Sequence, residues 1–127
     1  MKLIHCADLH LDSDMTSNLT KEKAKERRTE LLVTFQRMIT YAKENDVHHI
    51  LISGDLYDKK NISSTARNVF LTAVTDNQDI IFYYLKGNHD AESMFIGMNK
   101  IPDNLKLFGT EWTEYKITSE KDNNKIV

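Results

Sequence analysis

Three short polar clusters in this chain each follow directly on an apolar, strand-like run. Asp8-Leu9-His10 follows residues 2–7, Gly54-Asp55-Leu56-Tyr57-Asp58 follows residues 49–53, and Gly87-Asn88-His89-Asp90 follows residues 80–86. Stretches with helical periodicity separate the three runs. The order β-α-β-α-β, at about 30–40 residues per repeat, implies right-handed crossovers and a parallel sheet at the start of the chain. The fold class is therefore α/β. In open α/β sheets, active sites form at the carboxyl ends of the strands, so the three polar clusters are expected to converge there.

The segment over residues 2–7 reads as a buried strand. Thr20 can cap a long helix running to about Glu44, with Ala24, Leu31, Leu32, Phe35, Met38, Ile39 and Ala42 on one face and charges on the other. Asn45-Asp46 is a stop, and residues 47–53 form the second strand. Ser63 or Ser64 can cap a second helix with Ala66, Val69, Phe70, Ala73 and Val74 facing inward. Residues 80–86, rich in β-branched and aromatic side chains, give the third strand. A short helix is expected over residues 91–98. Beyond Pro102, residues 105–108 and 114–118 are two shorter strand candidates, expected to run antiparallel because they lie close in sequence. Asp122-Asn123-Asn124 reads as a turn, and residues 125–127 as the start of another strand.

A chain of 127 residues, 40% hydrophobic and 28% charged, is the size of one domain or a part of one, with enough apolar material for a core. The net charge of −2 excludes a global basic field for gripping nucleic acid. A nucleic-acid substrate is still compatible, because metal ions can neutralise phosphate locally. The single cysteine, Cys6, rules out an intrachain disulfide. With no signal peptide in view and no apolar stretch near the length of a membrane span, the expectation is a cytoplasmic, non-membrane protein.

Carboxylate, imidazole and amide oxygen are ligands for hard-to-borderline divalent metals. Asp8 and His10 stand two apart, which in an extended segment puts them on one side, where both can reach one ion. Gly54 allows a tight turn that presents Asp55, whose two oxygens can bridge two metals. Asn88 offers a neutral oxygen to the second metal, leaving His89 to work on the substrate. Asp58 can accept a hydrogen bond from a ring nitrogen of His89 and fix its tautomer. Two metals about 3.5–4 Å apart suit phosphoester hydrolysis: they neutralise the non-bridging oxygens and activate a water for in-line attack. A protonated imidazole beside the leaving oxygen would stabilise its charge.

Asp-x-His alone is common by chance, and Gly-Asp and Gly-Asn are frequent turn pairs. What singles them out is their succession, each behind a strand. The other titratable residues read as structural. His5 lies inside the first strand, and His48 and His49 enter the second from the opposite end of the sheet. Cys6 reads as a small core residue, and Asp12 as a loop cap with the capacity to order the metal loop. The basic run from Lys21 to Arg28 is a solvated helix face carrying i,i+4 pairs. Phe82-Tyr83-Tyr84 is strand packing rather than a base-stacking platform.

Asp-x-His, Gly-Asp-x-x-Asp and Gly-Asn-His-Asp in this order resemble the calcineurin-like metallophosphoesterases. The opening His5-Cys6-Ala7-Asp8-Leu9-His10-Leu11-Asp12-Ser13, together with Arg28-Thr29-Glu30-Leu31-Leu32-x-x-Phe35, is similar to the DNA repair exonuclease branch, the SbcD nuclease and its relatives. The resemblance implies a layered αββα sandwich, of which residues 1–127 would be the N-terminal half, truncated at the C-terminal end. It implies that Asp8, His10 and Asp55 hold one metal and that Asp55 and Asn88 hold the other. His89 would be the catalytic imidazole and Asp58 its partner. It further implies manganese as cofactor, DNA as substrate and an SMC-like, SbcC-like coiled-coil ATPase as partner. Family members continue into a second half that supplies further histidine ligands, whereas this sequence has none after His89. The second metal would then be short of protein ligands, and the chain by itself is expected to be inactive.

Two rival readings remain. One is a small-molecule phosphodiesterase or phosphatase using the same site. The other is a non-catalytic fragment that binds metal or another chain. An isolated first half would leave an apolar sheet face uncovered, which leads to an expectation of self-association.

Overall fold

In the computed structural model, which describes residues 1–15, 18–58, 62–87, 95, 98–119 and 122–126, the Thr20 side chain accepts a hydrogen bond from the Lys23 amide and starts the first helix. The elements run β1 (Ile4–Cys6), α1 (Lys21–Glu44), β2 (His49–Ser53), α2 (Ser64–Asp76), β3 (Ile81–Leu85), β4 (Leu105–Phe108), β5 (Thr118–Ser119) and β6 (Asp122–Ile126). Ser63 caps α2 through the Ala66 amide. At the far end of α1, Asn45 folds back onto the Tyr41 carbonyl and Asp46 takes a positive φ of 56°, which ends the helix.

Strands β1 to β4 form one sheet in that order, each pair parallel, with Ile4 beside Ile50, Ile50 beside Phe82 and Phe82 beside Leu105. Successive right-handed crossovers that advance in one direction put α1 and α2 on the same face. The core lies between that face and the helices. Ile50, Ile52, Phe82 and Tyr84 are buried against Phe35, Ile39, Ala42, Ala66, Phe70 and Val74. Phe70 is its hub, with ring centroids 6.1 Å from Phe35, 6.5 Å from Tyr57, 6.4 Å from Phe82 and 6.3 Å from Tyr84. The α/β architecture expected from the sequence is the one observed, and no described helix is long and apolar enough to cross a membrane.

Four expectations need correction. Strand β1 spans three residues rather than six and lies at the sheet edge with one neighbour; Ile4 and Cys6 are half-buried and His5 is exposed. Strand β4 is parallel to β3, not antiparallel. The reason is Asn104, whose buried side-chain Nδ2 donates to the Val74, Asn77 and Ile80 carbonyls while its backbone carbonyl accepts from the Phe82 amide. Those groups mark the end of α2 and the start of β3, so the chain must return to that end before β4 begins. Antiparallel pairing is found between β5 and β6. There β5 is two residues long, and Asp122, Asn123 and Asn124 lie in β6 rather than in a turn. The short helix expected over residues 91–98 falls mostly outside the described residues.

Asn104→Ala would remove one buried donor from three carbonyls at once. It is expected to destabilise the fold by about 1–3 kcal/mol, read by thermal or denaturant unfolding. An unchanged midpoint would show that the staple is dispensable.

Candidate metal centre

Beyond the last paired residues of β1 and β2, the two chains stay zipped together. The Asp8 amide donates to the Gly54 carbonyl at 3.2 Å, the His10 amide to Asp55 at 3.1 Å and the Leu11 amide to Leu56 at 2.9 Å. Gly54 in turn donates to Leu85 at 2.8 Å, which ties in the end of β3. Leu11, Leu56 and Tyr57 are buried and pin these loops to the core. The polar residues between them are thereby held at the carboxyl edge of the sheet.

Local backbone geometry aims them. Asp8, His10 and Asp55 have φ of 54°, 44° and 47°, and Gly54 has φ of 83°. Three non-glycine residues in the left-handed region within two short loops store strain of about 1–2 kcal/mol each. This also replaces the mechanism expected from the sequence. Asp8 and His10 share one side because each turns through the left-handed region, not because they alternate along an extended strand.

The result is a cluster. One ligand atom from each of Asp8, His10 and Asp55 lies within 4.8 Å of the other two, with Asp8 exposed and the other two half-buried. Two donors about 2.1 Å from one small divalent ion lie at most about 4.2 Å apart. Small side-chain adjustments would bring the three groups onto one ion. Two carboxylates and an imidazole suit a hard-to-borderline divalent cation. The ring of His10 is braced: its Nδ1 lies 3.3 Å from Asp58 Oδ1, while its Nε2 faces Asp8 Oδ1 at 4.0 Å. The Asp58 contact is an ion-pair distance without hydrogen-bond geometry, and it sets a carboxylate behind the ring on the side away from Asp8.

Asp58 lies beside His10, and its expected partner His89 falls outside the described residues. Asn88 and His89 lie outside the described residues, as does Asp90. Gly87 is described, and its position is informative. A Cβ there would collide with the amide nitrogen and Oδ1 of Asp55, and a Cβ on Gly54 would sit 3.3 Å from the Gly87 Cα. The loop after β3 is pressed directly onto the loop that carries Asp55. Asp12, read from the sequence as a loop cap, is buried, and its Oδ1 accepts a hydrogen bond from the Asp58 amide.

The remaining candidates stay structural. Cys6 donates its thiol to the Leu51 carbonyl, and burial pushes it up to about 11, so it remains protonated at neutral pH. His5 pairs with Ser53 on the helix-free face, and His48 with the Asp79 carbonyl. His49 meets the Tyr83 hydroxyl, and burial together with the neighbouring His48 holds its pKa below the usual value. In the basic stretch, Arg27 pairs with Glu30 at i,i+3 spacing, and Arg28 reaches the Asp14 carbonyl and anchors the loop after β1.

Comparison with known proteins agrees with this geometry. The sequence matches the calcineurin-like phosphoesterase family over residues 1–126. It is 31% identical over 121 residues to the uncharacterized metallophosphoesterase YhaO of Bacillus subtilis (strain 168). That match covers 91% of this chain and 29% of the relative, so the chain spans less than a third of the length of the protein it resembles. The chain belongs to the calcineurin-like phosphoesterase family.

Proposed function

We propose that this chain carries the first metal-binding half of a phosphodiester hydrolase acting on DNA, with manganese as its working ion. The observation that carries the reading is the convergence of Asp8, His10 and Asp55, with His10 braced by Asp58. Family membership supports metal-dependent phosphoester hydrolysis. The finer assignment to a DNA repair exonuclease rests on the similarity of residues 5–13 and 28–35 to the SbcD-like branch.

A divalent cation bound here supplies neutralisation of a phosphate oxygen and activation of a water. The chain's own contribution is to hold the donors before the ion arrives. Asp58 sets its carboxylate 3.3 Å from Nδ1 of His10, which favours presenting Nε2 to the ion. Asp55, seated against Gly87, has a second oxygen to offer a second ion, for which Asn88 is the other candidate in this sequence. His89 follows Asn88 and is the candidate to protonate or stabilise the leaving oxygen. Its place one residue beyond a metal ligand suits that task better than coordination. Asp55 and Asn88 alone make a weak second site, so the isolated chain is expected to bind metal better than it turns over.

Assayed in the intact protein, DNA is expected to be cleaved with manganese present and not with chelator. His89→Ala is expected to keep manganese affinity and lose most turnover. Near-normal turnover by that variant would remove His89 from the chemistry. Cleavage of small phosphodiesters with none of DNA would place the protein among small-molecule phosphodiesterases. An SMC-like coiled-coil ATPase is the partner proposed for the intact nuclease.

The helix-free sheet face bears on assembly. The Tyr115 ring covers part of it, packing on Tyr83 and Phe108. Beside that ring lies an open cleft of about 430 Å³ lined by Leu51, Tyr83, Leu85, Phe108 and Trp112, of which Leu85 and Trp112 are exposed. Self-association of the isolated chain over this face is expected in light scattering at micromolar concentration. A monomer would mean that Tyr115 and its neighbours cover the face well enough.

A further inference from the structure

Among the buried side chains of the described residues, Asp12 is hard to explain as packing. It is 5% exposed, and its Oδ2 has no hydrogen-bond partner among the described residues. Burying a carboxylate is costly unless its oxygens are satisfied. A serine or asparagine would cap a loop here at less cost. Something must offset the expense, and the contacts of Oδ1 indicate what. It accepts from the backbone amide of Asp58, the residue whose carboxylate lies 3.3 Å from Nδ1 of His10. Between these two side-chain contacts run the paired backbones, with the Leu11 amide on Leu56 and the His10 amide on Asp55. The Ser13 amide closes back onto the His10 carbonyl at 3.0 Å, which fixes Asp12 relative to His10 from its own side.

We propose that Asp12 is a positioning residue for the metal centre. Its carboxylate clamps the Asp58 amide and so keeps the Asp58 carboxylate 3.3 Å from Nδ1 of His10, behind a ring whose Nε2 faces Asp8. An ionised acceptor gives a shorter and stronger bond to an amide than a neutral one. That stiffness matters where Asp8, His10 and Asp55 occupy strained backbone conformations and would otherwise relax. Asp12 does not touch the ion in this scheme. The inference rests on the metal reading of Asp8, His10 and Asp55, and its test keeps the two apart.

The experiment compares wild type, Asp12→Ala and Asp12→Asn by manganese titration calorimetry and by the amide proton shift of Asp58 in the metal-free protein. Removing a group that orients a metal ligand typically costs about 10–100-fold in affinity, and that loss is expected for Asp12→Ala. Asp12→Asn keeps an acceptor oxygen without the charge and is expected to fall between the two, about three- to tenfold below wild type. The Asp58 amide proton is expected far downfield in wild type, less far in Asp12→Asn, and shifted well upfield in Asp12→Ala. A folded Asp12→Ala with wild-type affinity would overturn the proposal, and so would an unshifted Asp58 amide. Should Asp12→Ala not fold, Asp12→Asn decides alone: wild-type affinity with the Asp58 amide at its wild-type shift overturns the proposal, and a loss of about threefold or more with that amide moved upfield supports it. A wild-type chain that takes up no manganese would sink the metal reading instead, and the Asp58 amide comparison would still decide whether Asp12 sets this loop.

Discussion

Asp55→Gly and Asp55→Ala are both expected to lower manganese affinity by about a hundredfold or more, because loss of a charged ligand should exceed the 10–100-fold typical of the groups behind it. The two variants should part in stability. Asp55 has φ of 47°, a conformation in which a side chain is strained and glycine is not. With the carboxylate gone in both, Asp55→Gly is expected to be the more stable without metal by about 1 kcal/mol. Calorimetric titration and thermal unfolding of the two proteins check this. Retained manganese affinity in either variant would remove Asp55 from the centre. A more stable alanine variant would mean that the left-handed turn is not enforced by the two zipped loops.

Gly87→Ala should be nearly as damaging, although it alters no ligand. The added methyl group would meet the amide nitrogen and Oδ1 of Asp55, backbone and ligand together. Overpacking of this kind costs about 1–3 kcal/mol. Here it also displaces the carboxylate, so manganese affinity is expected to fall together with the melting temperature. A variant with both at wild-type level would show that the loop after β3 has room to spare. The same contact explains why the loop bearing Asn88 and His89 begins where it does: glycine at 87 lets the third strand end against the second metal loop.

Much of this was legible in the residues because it rests on local rules. Helix α1 follows from a capping Thr20 and apolar positions at helical spacing, and α2 from Ser63 and the row Ala66, Phe70, Val74. The convergence of Asp8, His10 and Asp55 follows from strand order, since parallel strands must end their loops on one edge. What was not legible depends on contacts distant in sequence. The direction of β4 is decided by Asn104 binding carbonyls 24 to 30 residues earlier. Two strands close in sequence offered no hint that the intervening segment returns to the start of β3. The pairing of Asp58 with His10 depends on the zipper between loops 45 to 46 residues apart, which no spacing rule within one loop reveals. The left-handed turns at Asp8, His10 and Asp55 were hidden for a related reason. Aspartate and histidine tolerate that region, but only the paired second loop forces them into it.

The metal centre itself is tested most directly by anomalous scattering from crystals equilibrated with manganese. The first peak to appear is expected among the carboxylates of Asp8 and Asp55 and Nε2 of His10, with Nδ1 of that ring still on Asp58. Density beside Asn88 with none at His10, or no peak at this edge of the sheet, would contradict it.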